Sequence, residues 1–234
     1  MKDITLRMMS VAALAAIGCS KPASQPTPTK TSERPRATAP ASPTPTGGGA
    51  ARRSAAEIGA PAPDFSLPGV DGQRHKLSAL RGSVVVLEWF NPDCPFVKRA
   101  HVEGPLQDMA KRWQARGVKW LAINSSAPGK QGHGLQRNRD ALGLYGLSHP
   151  LLLDEKGAVG RLYGAARTPQ AYVISKDGVL LYAGALNNMP YGELTEPGAE
   201  PKHYLQQALA ASLAGKPVKV ASTKPWGCSV KYAK

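Results

Sequence analysis

The pattern of apolar and polar positions divides the chain into several stretches. Residues 1–19 contain a short apolar run, whereas residues 20–54 are rich in Pro, Thr, Ser, Ala and Gly and contain no aromatic residue. Such a composition cannot bury a core, so residues 20–54 are predicted to form a disordered tether. From residue 55 to residue 215, apolar segments alternate with turn signals, which predicts one folded domain. Residues 216–234 follow the last apolar segment as a C-terminal tail.

The first apolar segments of the domain predict a hairpin, a central strand and a helix. "PDFSLPGVDGQRHKLSALRG", residues 63–82, has the form of a hairpin with Asp71–Gly72 at its turn. "SVVVLEWF", residues 83–90, is a β-branched run suited to a buried central strand. Residues 95–116 have the apolar spacing of an amphipathic helix, which Gly104–Pro105 should kink or split.

The remaining apolar segments predict further alternation of strands and helices. Strands are predicted within 118–126, 149–155, 170–175 and 179–184, and helices within 135–146, 157–165 and 201–215. The last two strands should pair through the tight turn between them. This order predicts an α/β fold, in which a mixed β-sheet is flanked by helices on both faces and carries an N-terminal β-hairpin extension.

The charge of the chain is strongly basic but dispersed. The formal net charge is +14, and residues 1–54 hold eight of the 30 Lys and Arg and two of the 16 Asp and Glu. No basic stripe with interleaved aromatic residues is present in the sequence, so we expect no nucleic-acid partner. A basic surface of this kind suits a position near anionic lipid.

Residues 1–19 have the pattern of an export signal. Lys2 and Arg7 precede an apolar run that ends in small residues and Cys19. The run is shorter than the about 20 residues of a membrane span, and "AIGC" resembles a bacterial lipobox, whose cysteine is lipidated and becomes the new N-terminus. The alternative is a cleaved secretory signal in which Cys19 is incidental.

The lipobox resemblance implies an exported protein that a lipid at Cys19 anchors to a bacterial membrane, facing the periplasm. Ser20 in place of Asp after the cysteine favours the outer membrane. The tether that follows would reach about 30 Å as a flexible coil and about 110 Å if fully extended.

Cys94 stands where the central strand ends and the next helix begins. Unpaired backbone N–H groups and the positive end of the helix dipole favour a thiolate at this position. Pro95 supports the placement, because proline suits the first position of a helix. Cys94 is therefore predicted to be reactive, and the alternative is a buried structural cysteine.

Two segments carry a resemblance to a known family. "VVVLEWFNPDCPF" resembles the active-site segment of the thioredoxin superfamily, and "GAPAPDFSLPGVDGQRHKLSALRG" resembles the opening of its redoxin branch, which also contains the peroxiredoxins. The resemblance covers roughly residues 58–215 and extends to exported redoxins with an "NPDCPFV"-type active site and a "GCSVK"-type tail. It implies a thioredoxin fold, thiol–disulfide chemistry at Cys94 and no cofactor.

The same resemblance assigns roles to further residues. Glu88, six positions before Cys94, corresponds to an acidic residue under the sulfur, where burial would raise its pKa and let it relay a proton. "RTPQAYVIS" matches the segment with a cis-proline, so Pro169 is predicted to be cis and Thr168 to pair with a bound peptide or cap the site. Asn91 and Pro95 complete the predicted substrate contacts.

The sequence departs from the family pattern at several positions. Val97 stands where an ordinary thioredoxin has its second cysteine, and the absence of a second nearby thiol argues against a metal site. His101 is interpreted as a helix-surface residue. Leu87 and Asn91 replace the Pro and Thr of peroxiredoxins, although Asn91 still offers a hydrogen bond near the sulfur.

Cys228 lies in the tail, in "TKPWGCSVKYAK". With Cys19 lipidated, two thiols remain in an oxidising compartment. The hypothesis is that the tail folds back, that Gly227 permits a close approach, and that Cys228 resolves a mixed disulfide formed on Cys94. A free, structural or intermolecular Cys228 is the alternative.

Three functions remain open from the sequence. The first is a membrane-tethered thiol–disulfide oxidoreductase that acts on a protein or small-molecule disulfide or thiol, with an unidentified electron donor. The second is a thiol peroxidase that reduces hydroperoxides through a sulfenic acid at Cys94. The third is a binding module that holds a partner peptide beside Pro169 without catalysis.

Overall fold

The structure, a computed structural model, describes residues 55–234 and begins with an antiparallel hairpin. Strand β1 (Ser66–Pro68) pairs with β2 (Arg74–Lys76). The turn closes through a 2.7 Å hydrogen bond from the backbone N–H of Gly69 to the backbone oxygen of Gln73. The predicted N-terminal hairpin is thereby confirmed.

A five-stranded mixed sheet forms the centre of the described region. The remaining strands are β3 (Val85–Trp89), β4 (Lys119–Asn124), β5 (Leu151–Leu153), β6 (Arg167–Thr168), β7 (Gln170–Ile174), β8 (Leu180–Gly184) and β9 (Cys228–Ser229). The sheet order is β5-β4-β3-β7-β8, with β3, β4 and β5 parallel and with β7 antiparallel to both β3 and β8. Strands β6 and β9 form a separate antiparallel pair.

Five α-helices of residues 55–234 cover the sheet. They are α1 (Pro95–Val102), α2 (Met109–Gln114), α3 (Leu135–Leu144), α4 (Ala158–Leu162) and α5 (Tyr204–Leu213). The helix predicted over 95–116 is divided into α1 and α2, and Gly104–Pro105 lies between them. The split is the outcome expected where proline removes a backbone donor and clashes with the preceding turn.

Alternation along β3 places apolar side chains on both faces of the sheet. Leu87 and Trp89 pack in one buried cluster with Val159 of α4, and Val86 packs in another with Leu205 of α5. The predicted α/β architecture, with helices on both faces of a mixed sheet, is therefore confirmed.

The C-terminal tail packs against the domain instead of leaving it. Thr223 accepts a 2.9 Å hydrogen bond at Oγ1 from the backbone N–H of Ala185, and the hydroxyl of Tyr232 donates a 2.8 Å hydrogen bond to the backbone oxygen of Ala165. Strand β9 lies between these two attachments. Residues 216–234 thus belong to the same folded body as the sheet.

Part of the predicted organisation falls outside the described residues. The export signal, the lipidated Cys19 and the tether over residues 20–54 lie there. Within residues 55–234, no helix has the length and apolar character needed to cross a membrane.

Candidate active site

Cys94 is the residue immediately before α1, and Pro95 occupies the first turn of that helix. The side chain of Cys94 has no exposed surface, while Pro95 is exposed. Sγ of Cys94 donates a hydrogen bond of 3.1 Å to the backbone oxygen of Thr168. The thiol therefore lies at the start of a helix, as predicted, and is covered by other parts of the chain.

The loop between β3 and Cys94 is held by side chains from neighbouring segments. Oδ1 of Asn91 accepts from the backbone N–H of Asp93 at 2.9 Å, and its Nδ2 donates to the backbone oxygen of Gln131 at 3.2 Å. The hydroxyl of Tyr145 donates to the backbone oxygen of Pro92 at 2.6 Å. Asn91 is buried and its amide is engaged within the protein, so its role as a substrate contact stays a prediction.

Thr168 and Pro169 are next to Cys94 in space, and the peptide bond between them is cis, as predicted. Both residues are buried. The backbone edge of Thr168, predicted to receive a peptide, pairs in antiparallel register with Cys228 of the same chain, and Arg167 pairs with Ser229. The position of a bound peptide is thus filled by the tail.

Cys228 is brought beside Cys94 by this pairing. Burial, a hydrogen bond with the Cys94 thiol and the charge on Cys94 together raise the pKa of Cys228 to about 11. Both cysteines are free thiols in the structure, and Cys228 is partly exposed. At neutral pH, Cys228 is therefore a protonated thiol, and its side chain packs against the buried cluster that contains Cys94.

Gly227 allows the tail to approach this closely. Its φ of 115° lies in the region that favours glycine, and a Cβ at this position would collide with the backbone oxygen of Thr168. The close approach predicted for Gly227 is present.

Glu88 is fully buried on β3, and its environment differs from the prediction. Nε2 of His101 lies 2.7 Å from Oε1 of Glu88, and Nε1 of Trp120 donates to Oε2 at 3.1 Å. Burial acts to raise the pKa of Glu88, but the positive charge and hydrogen bond of His101 outweigh it and leave the pKa lowered. The prediction of a raised pKa is wrong, and the proton relay stays a prediction.

His101 is the residue that the sequence interpretation missed. It is 7% exposed and faces the sheet from α1, so its interpretation as a helix-surface residue is wrong. A signal was available, because a buried carboxylate such as Glu88 requires a partner. His101 lies four residues after Val97, on the buried face of the next helix.

A small polar cavity lies behind this ion pair. It has a volume of about 150 Å³ and is lined in part by His101, Tyr145 and His149. His149 is 6% exposed, and neither of its ring nitrogens has a hydrogen-bond partner within residues 55–234. Burial lowers the pKa of His149 to about 4, so the ring is neutral at physiological pH.

A larger groove of about 460 Å³ is lined in part by Phe96 and Trp226, each of which lies two residues from a cysteine in the sequence. Phe96, Tyr191 and Trp226 form its aromatic wall. The ring centroid of Phe96 lies 4.1 Å from that of Tyr191 and 6.0 Å from that of Trp226. Arg99 and Arg112 also line it. Phe96 and Trp226 therefore place one wall of the groove next to the segments that carry Cys94 and Cys228.

Metal-binding groups are not assembled in the described part of the chain. Within residues 55–234, no cluster of three or more His, Cys, Asp or Glu side chains has the arrangement needed to hold a metal ion.

The sequence matches a protein-family model and several characterised relatives. The model of the AhpC/TSA family matches residues 58–183. The thiol-disulfide oxidoreductase ResA of Geobacillus thermodenitrificans is 28% identical over 127 residues, which cover 54% of this chain and 68% of that protein. ResA of Halalkalibacterium halodurans is 29% identical over 149 residues, which cover 62% of this chain and 80% of that protein.

Solved structures share the architecture. An uncharacterised conserved protein from Geobacillus kaustophilus superposes with a TM-score of 0.67 at 28% identity, covering 76% of this chain and 93% of the other. A putative thiol:disulfide interchange protein DsbE from Chlorobium tepidum gives a TM-score of 0.52 at 27% identity, covering 68% of this chain and 99% of the other. The predicted thioredoxin fold is confirmed, and the relatives support an oxidoreductase.

Proposed function

Because the chain belongs to the AhpC/TSA family and is a thiol–disulfide oxidoreductase, we propose that it works outside the cytoplasm, tethered to a membrane, through a disulfide between Cys94 and Cys228. One observation carries the disulfide part of this proposal: the tail pairs with Thr168 in antiparallel register, and Cys228 packs against the buried cluster that contains Cys94. Val97 offers no local second thiol, so Cys228 takes the part that a neighbouring cysteine has in thioredoxins.

The chemistry follows from the pairing of the two thiols. In the reduced protein, Cys94 and Cys228 together hold two protons and two electrons that a substrate disulfide can accept. Formation of the Cys94–Cys228 bond releases them, and a dithiol partner returns them when it breaks that bond. The substrates are disulfides or thiols of proteins or small molecules.

Membrane tethering rests on the sequence of residues 1–54. An export signal that ends in Cys19, followed by an extended polar linker, would place a lipid at Cys19 and the domain on the periplasmic side. The lipid can be detected by labelling cells with an alkyne fatty acid. We expect label on the native chain and none on Cys19→Ala, and label retained on Cys19→Ala would refute the lipid site.

The peroxidase alternative is less well supported by the geometry. A peroxide must reach the cysteine sulfur, but Cys94 has no exposed surface and the amide of Asn91 is engaged within its own loop. Leu87 also stands where a peroxiredoxin has proline. A binding module without catalysis would leave the placement of both cysteines at Thr168 without a use.

The test is peptide mapping of the full-length chain with Cys19→Ala, so that Cys94 and Cys228 are its only thiols. After mild oxidation, we expect a Cys94–Cys228 crosslink that dithiothreitol removes, and loss of disulfide reductase activity in Cys94→Ser and in Cys228→Ser. Two free thiols after oxidation would refute the proposal. Sulfenic or sulfinic acid on Cys94 without a crosslink would indicate the peroxidase, and unchanged activity in Cys94→Ser would indicate a role without catalysis.

A further inference from the structure

We infer that Cys228, and not Cys94, is the sulfur that exchanges with external partners, and that Cys94 acts only inside the protein. This inference rests on the proposed function, because it assumes that the two cysteines form a disulfide. It reverses the roles suggested by the sequence, in which Cys94 attacks the partner and Cys228 resolves the mixed disulfide.

Access to the two sulfurs is the first argument. The side chain of Cys94 has no exposed surface, whereas Cys228 is partly exposed. Thiol–disulfide exchange requires the attacking sulfur to reach the sulfur that it bonds. An external thiol can therefore contact Cys228 but not Cys94 while the tail is in place.

Hydrogen bonds fix the tail on both sides of Cys228. The segment that covers Cys94 is therefore an ordered part of the fold. Before the cysteine, Nε1 of Trp226 donates to the backbone oxygen of Asn187 at 2.8 Å. After it, the backbone N–H of Val230 donates to the oxygen of Ala166 at 3.1 Å, and Tyr232 donates to the oxygen of Ala165.

Further contacts hold the end of the tail. The backbone N–H of Ala127 donates to the oxygen of Lys231 at 2.9 Å, and Nη2 of Arg161 donates to the oxygen of Ala233 at 2.7 Å. The guanidinium of Arg161 also lies 4.5 Å from the centre of the Tyr232 ring. Opening a path to Cys94 would break contacts along the whole segment.

The edge that a peptide would use is also occupied. Thr168 pairs with Cys228 in antiparallel register, so the tail strand stands where an extended substrate would pair with the domain. A partner consequently meets the outer side of the tail and the groove beside Trp226, and its sulfur approaches Cys228.

Leaving-group chemistry gives an independent argument. A thiol with a high pKa is a poor leaving group in exchange. Burial, the largest of the causes that raise the pKa of Cys228, persists when the cysteines are joined. Attack on Cys94, which would expel Cys228, is therefore disfavoured, and attack on Cys228 expels Cys94.

Exchange with a dithiol partner proceeds in two steps. A partner thiolate attacks Sγ of Cys228, the Cys94–Cys228 bond breaks, and the electron pair goes to Sγ of Cys94, which takes up a proton. The partner's second thiolate attacks the partner sulfur in the mixed disulfide and closes the partner's disulfide. The electron pair then goes to Cys228, which takes up the second proton, and the reverse sequence reduces a partner disulfide.

The experiment uses the oxidised full-length chain with Cys19→Ala and glutathione as the probe thiol. Samples are quenched with N-ethylmaleimide at successive times, and the modified cysteines are identified by peptide mass spectrometry. We expect glutathione on Cys228 with maleimide on Cys94, in an excess of about tenfold or more over the opposite pattern, because the rate depends on access to the attacked sulfur. Equal adducts, or an excess on Cys94, would overturn the inference.

A second variant separates access from the intrinsic reactivity of the sulfurs. Trp226→Ala combined with Tyr232→Ala removes side chains that hold the tail on both sides of Cys228, and should move adducts toward Cys94. An unchanged ratio in this variant would show that the tail does not protect Cys94 and would also overturn the inference. If the starting protein contains no Cys94–Cys228 disulfide, the proposed function fails instead, so the two failures are distinguishable.

Discussion

Glu88 and His101 form a buried ion pair in which each charge compensates the other. Glu88 has no exposed surface, and the distance between its Oε1 and Nε2 of His101 is 2.7 Å. Removing one member of such a pair leaves the other uncompensated, which typically costs about 3 to 5 kcal/mol. We expect Glu88→Gln to lower the free energy of unfolding by about 3 kcal/mol in urea titrations at neutral pH.

The matched control for this substitution is Glu103→Gln at the end of the same helix. Glu103 is exposed, so its substitution should change the free energy of unfolding by no more than about 0.5 kcal/mol. Equal stability of Glu88→Gln and Glu103→Gln would contradict a structural role for the ion pair.

His149 makes the protein sensitive to acid. Burial holds its pKa at about 4 in the folded protein, whereas the pKa of an unburied histidine is 6.5. In the pH range between these values the unfolded state binds the proton and the folded state does not, so the free energy of unfolding falls as the pH falls from 6.5 to about 4. The full loss from this residue is about 3 kcal/mol.

His149→Phe should remove this part of the acid sensitivity, since phenylalanine does not titrate. We would measure the free energy of unfolding of the native chain and the variant across the same pH range. His203→Gln serves as the control, because His203 is exposed. If His149→Phe loses stability with acid as steeply as the native chain and the control do, the buried neutral histidine is refuted.

The residues that the sequence could reveal are those with a local signal. The junction of strand and helix marks Cys94, and the resemblance of "RTPQAYVIS" to the cis-proline segment of the family marks Pro169. The environments of Glu88 and His149 depend instead on which helix and loop face the sheet. The helix spacing of His101 indicates a buried side chain, but the balance between burial and the His101 charge depends on the packed structure, so the direction of the Glu88 pKa shift was predicted wrongly.

At the scale of elements, strand β9 and its flanking anchors set how strongly the two thiols are held together. The tail keeps Cys228 at a high effective concentration near Cys94, and a disulfide is more stable when its thiols are held close. Tyr232 contributes through its hydrogen bond to Ala165 and its stacking with Arg161. The order of the apolar segments predicted the sheet correctly, but nothing in that order places a tail strand against Thr168.

Tyr232→Ala should therefore make the Cys94–Cys228 disulfide easier to reduce. We expect the equilibrium constant for its reduction by glutathione to rise about tenfold, which corresponds to about 30 mV in potential. Ser229→Ala is the control within the same tail, since Ser229 is exposed. A potential for Tyr232→Ala that equals that of Ser229→Ala would show that the anchor does not stabilise the disulfide.

At the scale of the whole molecule, the net charge of +14 should select among small thiols that reach the site. Arg99, Arg112 and Glu103 line the groove next to the cysteine-bearing segments, so the formal charge of the groove has the same sign as the total. Attraction between exposed charges is largely screened beyond about 10 Å at 0.1 M salt and beyond about 3 Å at 1 M. The rate of attack on the oxidised protein should depend on salt according to the charge of the attacking thiol.

Glutathione, which is anionic, should reduce the oxidised protein several times more slowly when NaCl rises from about 0.05 M to about 0.5 M. Cysteamine is cationic and should be accelerated over the same range, because screening weakens its repulsion. Mercaptoethanol has no net charge and provides the control, with a rate that changes little. These three rates can be measured by stopped flow. A common salt dependence would mean that the basic surface does not act at the thiol pair. Opposite trends for the two charged thiols would identify electrostatic attraction as part of substrate selection.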